Sequence, residues 1–182
     1  MRTDWIDSSV MSHILAALTD ANRLAILVSL VTGMRIGDVL KLRPGDLRKE
    51  RFIYTEEKTK KRRRVRIPVR LRRELMAQAG KVFVFEHRLD PMRPRTRQAV
   101  FKDIKRAATA FRIPLVVGCH TARKVYAVDE YRRDMSVRRV KDLLNHSSEA
   151  VTMIYILADE LTARKEALRQ KQKRTATAKR VK

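Results

Sequence analysis

The stretch LLNHSSEAVTMIYI, Leu143 to Ile156, places a histidine, two serines and a tyrosine within little more than one short helix. A tyrosine in such company is either a core aromatic or a nucleophile. Pattern alone favours packing. Val151, Ile154, Tyr155 and Ala158 recur at three- and four-residue spacing, so Tyr155 falls on the expected buried stripe of its helix. Other candidates are scattered upstream. In TGMRIGDVL, Arg35 comes just after Gly33, with Asp38 one turn further on. CHTARK sets His120 and Arg123 on one helical face. His146 stands just before Ser148, a natural N-cap for the tyrosine helix. Taken singly, each has an ordinary structural reading: an ion-paired arginine, a common His/Arg pair, a hydrogen-bonding histidine at the start of a helix.

The elements that must position these residues are legible in the apolar spacing. Helical periodicity runs from Ser8 to Leu18 and from Asp20 to Thr32, with Gly33 as the terminator of the second helix. A short helix, RIGDVLKL, stops at Pro44-Gly45. Two strand-like runs follow, RFIYTEE and RRRVRIPV, joined by KTKK. The second alternates Arg63, Val65, Ile67 and Val69 with Arg62, Arg64 and Arg66, which predicts a hairpin with one wet, cationic face. Residues 69–79 and 95–111 read as helices with a short strand, VFVF, between them. Helical patterns then occupy roughly 120–133, 136–144 and 148–158. The expectation is a mostly helical α+β domain with one small antiparallel sheet.

Length and charge narrow the function. A chain of 182 residues accommodates one well-buried domain with a short extension. The net charge is +23, and residues 1–47 hold five Lys/Arg against five Asp/Glu, so the whole excess lies after Leu47. Such a field costs self-repulsion unless a polyanion neutralises it. Nucleic acid is the first expectation and an anionic membrane surface the second. The most apolar run, LAILVSLV, is too short to span a bilayer, and MRTDWIDSS lacks the apolar core of a signal peptide. The single Cys119 excludes an intramolecular disulfide and a cysteine-rich zinc module, and it fits a reducing cytoplasm. No metal-ligand cluster stands out. From Ala163 onward the chain carries nine Lys/Arg and one acid, either a solvated disordered end or a DNA-contacting tail.

In combination the scattered candidates say more than they do singly. The order Arg35, a hairpin lysine, His-x-x-Arg, His146 and then Tyr155 resembles the tyrosine recombinase (phage integrase) family. The matching stretches are TGMRIGDVLKL, EEKTKKRRRVRIPV, HTAR and LLNHSSEAVTMIY, spanning about Ser8 to Ala158. The resemblance implies the family's catalytic-domain fold and a reaction on duplex DNA. Arg35 and Arg123 would clamp the non-bridging phosphate oxygens with forked hydrogen bonds. Tyr155 would attack the phosphate and form a covalent 3′-phosphotyrosyl link. Lys58 would protonate the departing 5′-oxygen, with Lys60 as the alternative, and His120 and His146 would carry protons and hydrogen bonds. Asp38 would support the first arginine. Lys60, Lys61, Arg62, Arg64, Arg66 and Lys124 would contact DNA. Neither a cofactor nor a catalytic metal is implied.

The family pattern is not matched throughout. Ala122 and Lys124 replace a usual leucine and histidine, and Asn145 replaces a usual glycine. None of these removes an expected catalytic group. The first helix of the catalytic pattern begins near Ser8, so the expected organisation is a catalytic domain over 1–160 and a basic segment over 161–182. That segment is expected to be partly helical and then disordered, and no N-terminal core-binding domain is expected. The resemblance further implies a monomer in solution and a tetramer on paired DNA sites, with accessory DNA-bending proteins as possible partners. Two rival functions share these residues: a catalytically idle DNA-binding relative that regulates recombination sites, and an enzyme like a type IB topoisomerase or telomere resolvase.

Overall fold

The computed structural model describes residues 3–180. In chain order it contains α1 (Ser8–Ala17), α2 (Asp20–Thr32), α3 (Ile36–Leu40), a 3-10 turn (Pro44–Arg48), strands β1 (Arg51–Thr55) and β2 (Arg62–Arg66), then α4 (Val69–Gln78) and α5 (Arg97–Ala110). Helices α6 (Thr121–Asp134), α7 (Val137–Leu144), α8 (Glu149–Ile156) and α9 (Ala158–Arg180) complete it. The strands form one antiparallel hairpin in which Arg51 pairs with Arg66 and Thr55 with Arg62. The mostly helical α+β architecture is therefore as expected.

Local chemistry sets the helix ends. Asp7, Thr96, Ser136 and Ser148 each accept a hydrogen bond from a backbone amide three residues on, capping α1, α5, α7 and α8. Helix α2 ends at Gly33 in the left-handed region, with φ at +65°. That position also admits no side chain, because a Cβ there would overlap the ring of Tyr126. Helix α2 is central, packing against α1, α3, α4 and α6. The main core gathers residues such as Val28, Met34, Val39, Ile67, Leu75 and Val100. A smaller cluster of Tyr126, Ala127, Val140, Leu144 and Ile156 joins α6, α7 and α8.

Three sequence expectations change. The VFVF run is not a strand. The Val84 amide donates to the Leu42 carbonyl and the Arg95 amide to that of Phe85, and one bridge links Glu86 with Pro94. Val84 and Phe85 are apolar because they fill the core, and Pro94, opposite the next residue Glu86, denies a ladder its donor. The expected stripe of α8 is also rotated. Its buried residues are Thr152 and Ile156, while Val151 is exposed and Tyr155 half-buried. The C-terminal segment is helical through Arg180, past the point where disorder was expected. Its first turns are fixed by tertiary contacts: the Trp5 amide donates to Thr162 Oγ1 at 3.1 Å, and Lys165 pairs with Asp4 at 2.7 Å. Extending a nucleated helix through good formers is then cheap. The outermost positions of the expected domain and tail, residues 1, 2, 181 and 182, lie outside the described residues.

Gly33→Ala combines a left-handed alanine with overpacking against Tyr126. It is expected to lower unfolding free energy by about 2–5 kcal/mol. Urea denaturation of the two proteins measures the loss.

Candidate active site

The turn after α2 aims Arg35 at the start of the hairpin. Its Nη1 lies 2.7 Å from Oε2 of Glu56, a carboxylate with no exposed side-chain surface. Thr59 donates its hydroxyl to the same Oε2 at 2.6 Å, so the loop carrying the lysines closes over this carboxylate. From the inward face of β2, Arg63 reaches Glu56 Oε1 at 4.0 Å and the Gly33 carbonyl at 3.4 Å, and it donates through Nη2 to the Thr32 carbonyl. From the first turn of α6, Arg123 donates to the Gly33 carbonyl and, at 2.6 Å, to that of Leu144.

Three guanidiniums thus surround one carboxylate and the C-terminal carbonyls of α2 and α7. Carbonyls at helix C-termini carry partial negative charge, which makes such burial tolerable. Two positive charges remain uncompensated by carboxylate. Arg123 is 1% exposed, and burial, followed by Arg35 and Arg63, pulls its pKa down to about 10. It stays protonated at neutral pH. The forked clamp expected of both arginines is partly occupied at Arg123, where two carbonyls take one N–H from each terminal nitrogen, whereas Nη1 of Arg35 is ion-paired with Glu56 but has no hydrogen-bond acceptor. The remaining N–H groups are held in fixed directions.

A cleft of about 560 Å³ opens over these groups. Arg35, Lys58, His120, Arg123, His146 and Tyr155 all line it, as does Asp38. Lys58 reaches it from the hairpin loop, whereas Lys60, in the left-handed region at φ +58°, does not line it. The ring centroids of His146 and Tyr155 are 5.0 Å apart, edge to face. The Tyr155 hydroxyl makes no hydrogen bond among the described residues.

His146 Nδ1 lies 3.1 Å from Thr152 Oγ1, and that hydroxyl donates to the Ser148 carbonyl at 3.3 Å. The ring donates through Nδ1 when the Thr152 hydroxyl keeps its bond to Ser148, and accepts when that hydroxyl turns toward it. Burial first, then Arg123 and Arg35, drives the His146 pKa down to about 4. Burial and Arg97, with Arg123 and Arg35, lower that of His120 as well. Both rings are neutral at neutral pH.

Two expected roles fall elsewhere. Asp38 makes no hydrogen bond to Arg35. Its Oδ1 accepts from the Glu57 amide at 3.0 Å and fastens the hairpin, while Glu56 holds the arginine. Burial raises the Asp38 pKa, with Glu56 adding to the effect. Lys124, expected to contact DNA, is 7% exposed, and its ammonium donates to the Thr3 carbonyl. It secures the N-terminal segment, so a DNA contact is corrected to a structural one. Lys60, Lys61, Arg62, Arg64 and Arg66 are exposed, with Arg66 paired to Glu50 at 2.7 Å. Glu56 and Arg63 are the functional side chains that sequence reasoning missed. Arg63 did carry a signal, since it shares the inward phase of β2 with Val65.

A histidine whose folded pKa is depressed binds protons later than its unfolded counterpart, near 6.5. Its contribution to stability is present above that value and lost as pH falls toward about 4. Stability is expected to decline across this window by an amount on the order of 2–3 kcal/mol, and His146→Gln to flatten the decline. Denaturant midpoints measured against pH check both.

Comparison with known proteins adds the ancestry. The model of the phage integrase family matches residues 4–161. The probable integrase/recombinase YoeC of Bacillus subtilis (strain 168) is 31% identical over 137 residues, covering 73% of this chain and 75% of that protein. A tyrosine recombinase of Thermosipho africanus (strain TCF52B) is 29% identical over 176 residues, covering 86% of this chain and 58% of that protein. Among solved structures, the XerH site-specific recombinase bound to palindromic difH substrate in a post-cleavage complex superposes with a TM-score of 0.69 at 18% identity, over 85% of this chain and 49% of that one. The chain therefore spans about half to three quarters of these relatives. By the family match and the identity to YoeC, the chain belongs to the phage integrase family of tyrosine recombinases.

Proposed function

We propose that this chain cuts and religates duplex DNA at specific sites through a covalent 3′-phosphotyrosyl intermediate on Tyr155. One observation carries the reading: six side chains drawn from the α2–α3 turn, the hairpin, the start of α6, the α7–α8 turn and α8 line a single cleft, over a buried site with excess positive charge. A phosphodiester supplies the missing anion, and its charge spreads further as a fifth oxygen joins phosphorus. Arg35 and Arg123 stabilise that charge with groups already fixed by Glu56 and by backbone carbonyls. The similarity in fold to the Tn1549 transposon integrase in complex with transposon right end DNA supports DNA as the substrate.

In the proposed step, Tyr155 Oη bonds to phosphorus and the 5′-oxygen leaves with the bonding electron pair. The phenolic proton passes to a neutral imidazole, His146 or His120. The ammonium of Lys58 gives the 5′-oxygen its proton. Religation is the reverse, a 5′-hydroxyl attacking the phosphotyrosine. The phosphate ester bond is exchanged rather than hydrolysed, so no external energy source enters. Exposed Lys61, Arg62 and Arg64 hold the duplex by its phosphates, and a tetramer on two paired sites carries out strand exchange.

Incubation with a duplex nicked beside the cleavage position traps a covalent adduct, because the short product strand diffuses away. Tyr155→Phe is expected to abolish the adduct while leaving duplex affinity within about threefold, since only one oxygen is removed and its electrostatic contribution to binding is small. An adduct that persists in Tyr155→Phe would falsify the assignment of the nucleophile.

Lys58→Ala is expected to slow cleavage by about 10²–10⁴-fold on ordinary DNA. Replacing the bridging 5′-oxygen with sulfur, a leaving group that needs no proton, should restore most of the rate. Restoration of Lys60→Ala instead would move the general acid along the loop, and restoration of neither would remove lysine from the mechanism.

A further inference from the structure

A second cleft, of about 520 Å³, lies between β2 and α7 and is separate from the catalytic one. Arg62 and Arg64 line it from the outward face of β2, and Arg138 and Arg139 from α7. Asp142 is the one carboxylate among its lining residues, and Arg139 pairs with Asp134 at 2.9 Å. The side chains of Arg62, Arg64 and Arg138 make no hydrogen bond or ion pair among the described residues. Guanidiniums converging from two elements repel one another unless an anion lies between them.

Asn145 marks the same cleft independently. It lies in the left-handed region at φ +53°, a conformation that glycine adopts without the steric cost a side chain brings. Its amide Nδ2 is shielded from solvent and has no acceptor in the protein. The left-handed backbone is accounted for by the cap of α7, whose carbonyls accept the Asn145 backbone N–H, so the side-chain donor is the feature left without a partner. An unpaired shielded donor is unfavourable to the free protein, and an oxygen acceptor met by a turn of the side chain into the cleft relieves it.

We infer that this cleft is a second phosphate-binding site, holding a non-scissile backbone phosphate of the same DNA duplex between Arg62, Arg64 and Arg138 with Asn145 at its wall. The inference rests on the proposed action on duplex DNA. Continuity favours that ligand: Asn145 directly precedes His146 of the catalytic cleft, and the outward face of β2 belongs to the hairpin whose loop supplies Lys58. Arginine is suited to the task, because its planar fork matches phosphate oxygens two at a time. Phosphate contacts position a duplex without reading its sequence. A phosphate gripped here fixes the register in which its neighbour reaches Tyr155.

The test uses the full chain carrying Tyr155→Phe, so that binding is read without chemistry, on a duplex titrated over a range of salt. Arg138→Gln is expected to make the log–log salt dependence shallower by about 0.9, the signature of one lost phosphate contact. Asn145→Gly should weaken binding severalfold while leaving the unfolding temperature equal or higher, which separates the lost amide from any folding defect. Single methylphosphonates placed along the duplex should identify one position, away from the scissile phosphate, whose neutralisation weakens the parent protein but not Arg138→Gln. If the parent binds duplex and Arg138→Gln keeps its salt slope, the cleft holds no phosphate and this proposal falls alone. An unchanged slope with an altered number of protomers on the DNA would assign the cleft to a protein neighbour and overturn it likewise. A parent that does not bind duplex would overturn the proposed function and this inference together.

Discussion

The Gly33 carbonyl is the point on which the site depends. It closes α2, and it accepts from both Arg63 and Arg123, side chains that arrive from the hairpin and from α6. Glu56 completes the arrangement by binding Arg35 and facing Arg63. Buried guanidiniums are tolerated only when their donors are satisfied, and removing one partner of such a group costs about 3–5 kcal/mol. Helix α2, the hairpin, α6 and α7 are therefore fixed relative to one another by the same contacts that prepare an anion site. The cost of orienting the arginines is met during folding, before any phosphate arrives.

The distribution of charge follows from this economy. The N-terminal segment and the first two turns of α9 use several charges internally: Asp4 with Lys165, Thr3 with Lys124, and Arg132 with Asp159. Arg132 also lies 5.6 Å above the ring of Trp5. The outward face of the hairpin does the reverse, leaving Arg62 and Arg64 open to solvent. Opposite uses of the same residue types separate a face that holds the protein together from one that leaves its positive charge exposed.

Much of this was legible in the sequence. The bounds of α2 agree residue for residue, the alternation of β2 gave the right faces, and the catalytic spacing brought all six expected residues to one cleft. The failures share a cause. Periodicity tells which residues face inward but not what they face. Tyr155 was placed on a packed stripe when its side of α8 borders a cleft, and VFVF was given a strand's geometry when it fills a core. Lys124 was read from its place beside His120 and Arg123, yet its partner Thr3 lies 121 residues away. Asp38 was the nearest acid to Arg35 in sequence, but Glu56 was the one across the turn. Contacts between distant segments leave no local trace.

The imidazole of His146 joins two helices. Its backbone amide donates to the Lys141 carbonyl of α7, and its ring Nδ1 hydrogen-bonds the Thr152 hydroxyl of α8. The arginines are anchored to α2 and α7, while the tyrosine rides on α8, three residues beyond Thr152. Sliding α8 against α7 must break the ring's hydrogen bond or rotate the ring with the helix. That bond also fixes how the ring faces Tyr155, 5.0 Å away edge to face. The position of Tyr155 and the orientation of the His146 ring are thus one coordinate, and a shift of α8 displaces both groups at once.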